Sequence, residues 1–165
     1  MKRAKWFALA AVLFLVAATA NSAGRTIYPA PGQARADLAA ALKIAAATHR
    51  RILLDFGGNW CSDCQVLDIY FHDTRNKPIL DANYVLVHIN IGEMDANLDL
   101  ARKYAIPIRK GVPALAVLSE RGALLYSQKN GEFEAMGNMQ SSSVTAFLMK
   151  WRPLRPGCSV VAVSC

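Results

Sequence analysis

Two short apolar runs constrain the fold more than any other feature: "ILLDF" at residues 52–56 and "YVLVHINI" at residues 84–91. Each is short, apolar and bounded by turn-forming residues, so each reads as a buried strand. Between them Val66, Leu67 and Tyr70 recur at helical spacing from Cys61 to about Phe71, and a further short helix is expected near Pro78 to Ala82. A strand, a helical crossover and a second strand imply parallel pairing within one sheet. Upstream, "ARADLAAALKIAAATHRR" is alanine-rich, with Leu38, Leu42 and Ala45 on one face, a helix of high intrinsic propensity. Downstream, "ANLDLARKYAI" reads as a helix. "ALAVLS" and "ALLYSQ" flank Glu120-Arg121-Gly122 as a hairpin. Val144, Phe147, Leu148 and Trp151 form the stripe of a last helix, preceded by serine caps and stopped by Pro153. The expected class is α/β, with a central mixed sheet flanked by helices.

The first 24 residues have a different character. Lys2, Arg3 and Lys5 precede an apolar run from Trp6 to Ala18, which ends in Ala18-Thr19-Ala20. A basic start, an apolar middle and a small-residue site describe a secretory signal peptide over residues 1–20. The run is short for a membrane span, and an uncleaved N-terminal anchor is the alternative. Residues 21–33, with "TIYPAPGQ", read as a linker, residues 34–152 as the domain, and residues 153–165 as a tail. Loss of residues 1–20 removes three of the 19 basic residues and none of the 12 acidic ones, leaving a net charge of +4. With no long basic run, nothing points to nucleic acid. Export to the periplasm or beyond would place the four cysteines where disulfides persist.

Those cysteines carry the chemistry. Cys61 and Cys64 form a Cys-x-x-Cys pair at the start of the second helix. A c-type haem would need histidine directly after Cys64, where Gln65 stands. A zinc site would need Cys158 and Cys165 as well, at an unusually wide spacing, so no metal is assigned. A purely structural disulfide would close too small a loop to restrain the unfolded chain much. A redox pair fits better. A sulfur at a helix N-terminus meets unpaired N–H groups and the positive end of the helix dipole, which stabilise a thiolate. Cys61 is then the exposed attacking sulfur and Cys64 the more buried resolving one. In the tail, Cys158 and Cys165 read as a structural disulfide, from the even count and the export signal.

"LLDFGGNWCSDC" resembles the thioredoxin family's strand, aspartate, spacer and tryptophan-Cys-x-x-Cys. "GVPAL" at 111–115 is similar to its cis-proline segment, and "ALAVLSERGALLY" to its hairpin. The resemblance covers residues 34 to about 152, and it looks most like exported thioredoxins and the C-terminal domain of DsbD-type electron conduits. It implies a thioredoxin-like three-layer fold and a thiol–disulfide oxidoreductase with no cofactor, acting on protein disulfides and dithiols; because NADPH does not reach an exported protein, a reductase here would need a membrane electron donor. It implies that Trp60 flanks the pair, and that Pro113 is the cis-proline whose predecessor, Val112, offers its backbone to an extended substrate. Asp55 matches the family's buried aspartate, a desolvated carboxylate suited to take the proton from Cys64.

Two departures stand out. His88 occupies the position where the family often carries a lysine beside the aspartate, and it either pairs with Asp55 or is a satisfied core residue. Ser62-Asp63 replaces the commoner glycine-proline, and a carboxylate there opposes a Cys61 thiolate. That favours a reductase or electron relay. An oxidase or isomerase with the same residues is the alternative, as is a copper-handling module using Cys61, Cys64 and Met136 or Met139, since soft sulfur suits Cu(I).

Overall fold

The computed structural model describes residues 25–154. The expected signal peptide, the first part of the linker, and the Cys158–Cys165 pairing lie outside the described residues. In chain order the elements are α1 (Ala34–Thr48), β1 (Arg51–Gly57), α2 (Ser62–Phe71), α3 (Asn76–Asn83), β2 (Tyr84–Asn90), α4 (Leu98–Lys103), β3 (Ala114–Leu118), β4 (Leu124–Ser127) and α5 (Ser141–Lys150). The sheet order is β2-β1-β3-β4. β1 and β2 are parallel, as the helical crossover requires, and β3 is antiparallel to both β1 and β4.

Side-chain alternation sorts this sheet into two faces. Ile52, Leu54, Phe56, Val87, Ile89, Ala114, Ala116 and Leu118 form one apolar layer with α1 and α4. Leu53, Leu115 and Val117 form another with Leu67 and Phe71 of α2, Leu80 of α3, and Val144, Phe147 and Leu148 of α5. Asp55 and Gly57 share the parity of Leu53, so the sequence places one carboxylate and one missing side chain on the α2 face of the central strand.

Two local expectations need correction. The helix over 96–106 is only Leu98–Lys103, because Ala105 takes a left-handed φ of 53° and Pro107 follows. The serines ahead of α5 do not cap it. Gln140 is the N-cap and makes no side-chain cap bond. Ser141 Oγ instead donates to Asp73 and accepts from the buried Asn76, tying α5 to the start of α3.

The described part of the expected linker, residues 25–33, is packed against the domain as a strap. It runs from α2, past the loop after β1, across the end of β2 and into α1. Gln65 Nε2 donates to Arg25 O, Asn90 Nδ2 to Pro29 O and Asn97 Nδ2 to Pro31 O. Asn59 is the central anchor. Its Oδ1 accepts from the N–H groups of Ile27 and Tyr28 at 2.8 and 2.9 Å, and its Nδ2 donates back to Tyr28 O at 2.9 Å. Tyr28 is thereby held 1% exposed. Asn59→Ala removes all three bonds and should lower stability by about 2 kcal/mol in urea unfolding, at a net worth near 1 kcal/mol per bond less partial replacement by water. Limited proteolysis should then cut the strap within residues 25–31 while residues 34–152 stay intact. Equal resistance in variant and wild type would show that the strap is held by other contacts.

Candidate active site

β1 ends at Gly57 and α2 begins at Ser62, and the turn between them delivers the cysteine pair. Cys61 is the N-cap of α2 and is joined to Cys64 by a disulfide. The Cys64 N–H points at Cys61 Sγ, 3.1 Å away. The outer sulfur thus sits where the sequence puts it, at the helix N-terminus. Burial is greater than expected for an attacking group: Cys61 is 6% exposed and Cys64 is fully buried. Cys61 is the more exposed of the two, and both residues are buried. Gly57 makes room for the inner one. A Cβ on Gly57 would lie 2.7 Å from Cys64 Sγ and 2.7 Å from Tyr28 Cζ.

Cys61 Sγ also lies 3.5 Å from the carbonyl oxygen of Val112. As the sulfur carries no proton in the disulfide, this is a close contact rather than a hydrogen bond. The Val112–Pro113 bond is cis, so Pro113 rather than Pro107 takes the cis-proline position. Trp60 is 48% exposed beside the pair. Its Nε1 donates to Gly92 O at 2.7 Å, and its indole covers Gly58. Asp63, in the first turn of α2, accepts a 2.7 Å bond from the Gly137 N–H and is fixed by it.

Asp55 is fully buried. Its Oδ2 accepts from the Tyr28 hydroxyl at 2.8 Å and lies 2.9 Å from His88 Nδ1, while Oδ1 is buried with no hydrogen-bond partner. The parallel register sets Asp55 directly opposite His88, so of the two readings of the histidine, pairing is the one observed. Burial works against a charged His88 ring. The hydrogen bond and charge of Asp55, with the charge of Asp68, outweigh it and raise the histidine above its ordinary range. Tyr28 stacks edge-on against the His88 ring at 5.1 Å. Burial, then the charge of Asp55, pushes its phenol well above the ordinary value, so the hydroxyl stays neutral. Asp68, one turn beyond Cys64 and also buried, pairs with Arg25 of the strap at 3.0 Å.

Tyr28, Asn59 and Asp68 escape a motif-based reading. The signals available in the sequence are an aromatic hydroxyl among prolines, an amide directly before the Trp-Cys motif, and a carboxylate four residues after Cys64. Met136 and Met139, the extra sulfur ligands of a copper reading, pack among the apolar side chains under α5, and Met136 precedes Gly137, whose N–H bonds to Asp63 between the two cysteines.

A raised folded-state pKa means that the His88–Asp55 pair contributes fully below the histidine's unfolded value, about 6.5. The contribution is lost as pH rises through the higher folded value. Urea unfolding between pH 5.5 and 8.5 should therefore show stability falling with pH in this window, and His88→Gln should flatten that slope. An unchanged slope in the variant would assign the pH dependence to other groups.

Comparisons with known proteins agree with this geometry. A family model described as thioredoxin-like matches residues 33–119. A disulphide isomerase from Xylella fastidiosa Temecula1 has a similar structure, with a TM-score of 0.72 and 32% identity, over 76% of this chain and 96% of that one. The C-terminal domain of Neisseria meningitidis DsbD, in the reduced form, shares the fold at a TM-score of 0.53 and 19% identity, over 72% of this chain and 96% of its own. A DsbH oxidoreductase does so at 0.52 and 21%, over 69% and 82%. No curated protein sequence matches. With its Cys61–Cys64 pair on this scaffold, the chain belongs to the thioredoxin-like family and is a thiol–disulfide oxidoreductase.

Proposed function

We propose that this protein is a reductase or electron relay that acts on protein disulfides outside the cytosol. Cys61, the outer sulfur, attacks a substrate disulfide and forms a mixed disulfide; Cys64 resolves it and releases the second substrate thiol. Trp60 and the Val112 backbone flank Cys61, so an extended substrate strand lies between them and pairs with the Val112 segment. The basic and apolar start of the chain supports export. NADPH does not reach an exported protein, so the electrons come from a dithiol partner in the membrane.

Asp63 carries the direction. The helix N-terminus and the Cys64 N–H favour a thiolate on Cys61. The Asp63 carboxylate, fixed in the same turn by Gly137, opposes it. A strongly oxidising pair owes its potential to a stabilised reduced form, and a negative charge in the first turn works the other way. The second reading is an isomerase, favoured by the Xylella fastidiosa protein's 32% identity over 96% of its length.

Cys61→Ser should abolish reduction of insulin disulfides, and retained activity would place the chemistry elsewhere. The potential, measured against glutathione, should lie nearer thioredoxin's than the isomerase's, which differ by about 90 mV. Asp63→Asn should raise it by about 20 mV, which corresponds to roughly 1 kcal/mol. An isomerase would instead show an oxidising potential and efficient repair of scrambled ribonuclease.

A further inference from the structure

The strap residue Tyr28 belongs to none of the motifs, yet its hydroxyl is bonded to one of the two groups that disulfide exchange must connect and borders the space beside the other. It donates to Asp55 Oδ2 at 2.8 Å. On its other side is the space left by Gly57, which faces the same way as Asp55 on β1. The Cβ position of Gly57 lies 2.7 Å from Cys64 Sγ and 2.7 Å from Tyr28 Cζ, and the hydroxyl oxygen is nearer still. The phenol, bonded to the carboxylate, therefore borders the same small space as the inner sulfur. The ring is 1% exposed and its backbone is clamped on both sides by Asn59. A hydroxyl has one proton to donate and two lone pairs with which to accept. With the proton directed at Asp55, a lone pair is free for a thiol on Cys64.

We propose that Tyr28 is the relay residue of the exchange reaction, its hydroxyl passing the proton between Cys64 and Asp55. The inference rests on the reading of Cys64 as the resolving thiol. In resolution the Cys64 S–H proton moves to the Tyr28 oxygen as the tyrosine's own proton moves to Asp55 Oδ2. The resulting Cys64 thiolate attacks Cys61 Sγ of the mixed disulfide. The Cys61–Cys64 bond forms, the bond from Cys61 to the substrate sulfur breaks, and the substrate leaves as a thiolate with the electron pair. Two electrons have passed from the protein's dithiol to the substrate. When an incoming dithiol re-reduces the pair, the proton on Asp55 returns by the same route to Cys64 as its sulfur becomes the leaving group.

The charged groups around this path are His88 of β2, which shares Asp55 Oδ2; Asp68 of α2, paired with Arg25 of the strap; and Asp63 of α2, turned to Gly137. Of these, only His88 shares a hydrogen bond with a group on the path, so a pH profile of resolution reports the relay and the His88 pair together. Substitution at Tyr28 separates them.

The test uses the reduced full chain with Cys158→Ser and Cys165→Ser in every variant, so that Cys61 and Cys64 are its two thiols, and an aromatic disulfide probe, dithiobis-nitrobenzoate, which releases one coloured thiolate on attack by Cys61 and a second on resolution by Cys64. Tyr28→Phe keeps the ring and removes the hydroxyl. The first phase should be unchanged. The second should slow about tenfold or more near neutral pH, with its pH dependence moved upward. The double variant Tyr28→Phe with Asp55→Asn should be no slower than Asp55→Asn alone, because both act on one proton path. A second phase within about twofold of wild type, or fully additive slowing in the double variant, overturns the proposal. Cys64→Ala should stop after one equivalent. If it releases two, the assignment of Cys64 fails, independently of how Tyr28→Phe behaves. If Tyr28→Phe does not fold, 3-fluorotyrosine at position 28 keeps the shape and makes the hydroxyl more acidic. The pH profile of the second phase then moves, and an unmoved profile overturns the relay.

Discussion

A carboxylate buried in the central strand sets the terms for the rest of this structure. Asp55 lies between two paired strands with no exposed surface, and an ionised carboxylate in such a place must find donors or become neutral. The sheet supplies one donor directly, because the parallel register places His88 of β2 opposite it. The other comes from Tyr28, 27 residues earlier in the chain. For that hydroxyl to arrive, the strap must be held against the loop after β1. This makes Asn59 structurally necessary, and Gly57 must leave the space that the phenol and the Cys64 sulfur share. Strap, strand and redox helix are therefore one unit, coupled through a single buried group.

The parts that are legible in the sequence are those whose cause is local. β1 and β2 announce themselves as apolar runs, α1 as alanine-rich, and the helical crossover dictates their parallel pairing. The cysteine pair at the start of a helix is also a local pattern, and its position as N-cap follows from spacing alone. Pro113 stands directly before the apolar run that becomes β3, which Pro107 does not. The partner of His88 was legible only as two alternatives. The strand pattern gives each residue its face, whereas pairing with Asp55 depends on register, which a single strand does not carry.

What stayed hidden is long-range polar pairing. "TIYPAPGQ" has the composition of a turn-rich connection, and its prolines leave few N–H groups for a ladder. Its attachment runs instead through the amide side chains of Asn59, Gln65, Asn90 and Asn97, which come from four separate places in the chain. No periodicity marks such bonds. Ser141 shows the same limit from the other side. Its place before an apolar stripe predicts a helix cap, but a buried asparagine and Asp73 compete for the hydroxyl and win, because Asn76 has no exposure to water and must be satisfied.

The two sulfurs end in unequal settings, one at the helix N-terminus and the other fully buried. Cys61 meets the helix N-terminus and the backbone N–H of Cys64, with Asp63 opposing from the same turn. Cys64 lies deeper, on the side where Asp55 and Tyr28 gather and Asp68 stands one turn away. The inner sulfur has no exposure to water and a charge buried there is costly, so in the proposed exchange Cys64 stays a thiol until a mixed disulfide forms beside it. Attack by Cys61 needs a thiolate in advance; resolution by Cys64 needs one only at the moment of reaction, beside a bonded target. In the proposed exchange, the helix dipole at the first sulfur and a base reached through a hydroxyl at the second meet both requirements, and they give a role to a group as costly to bury as Asp55.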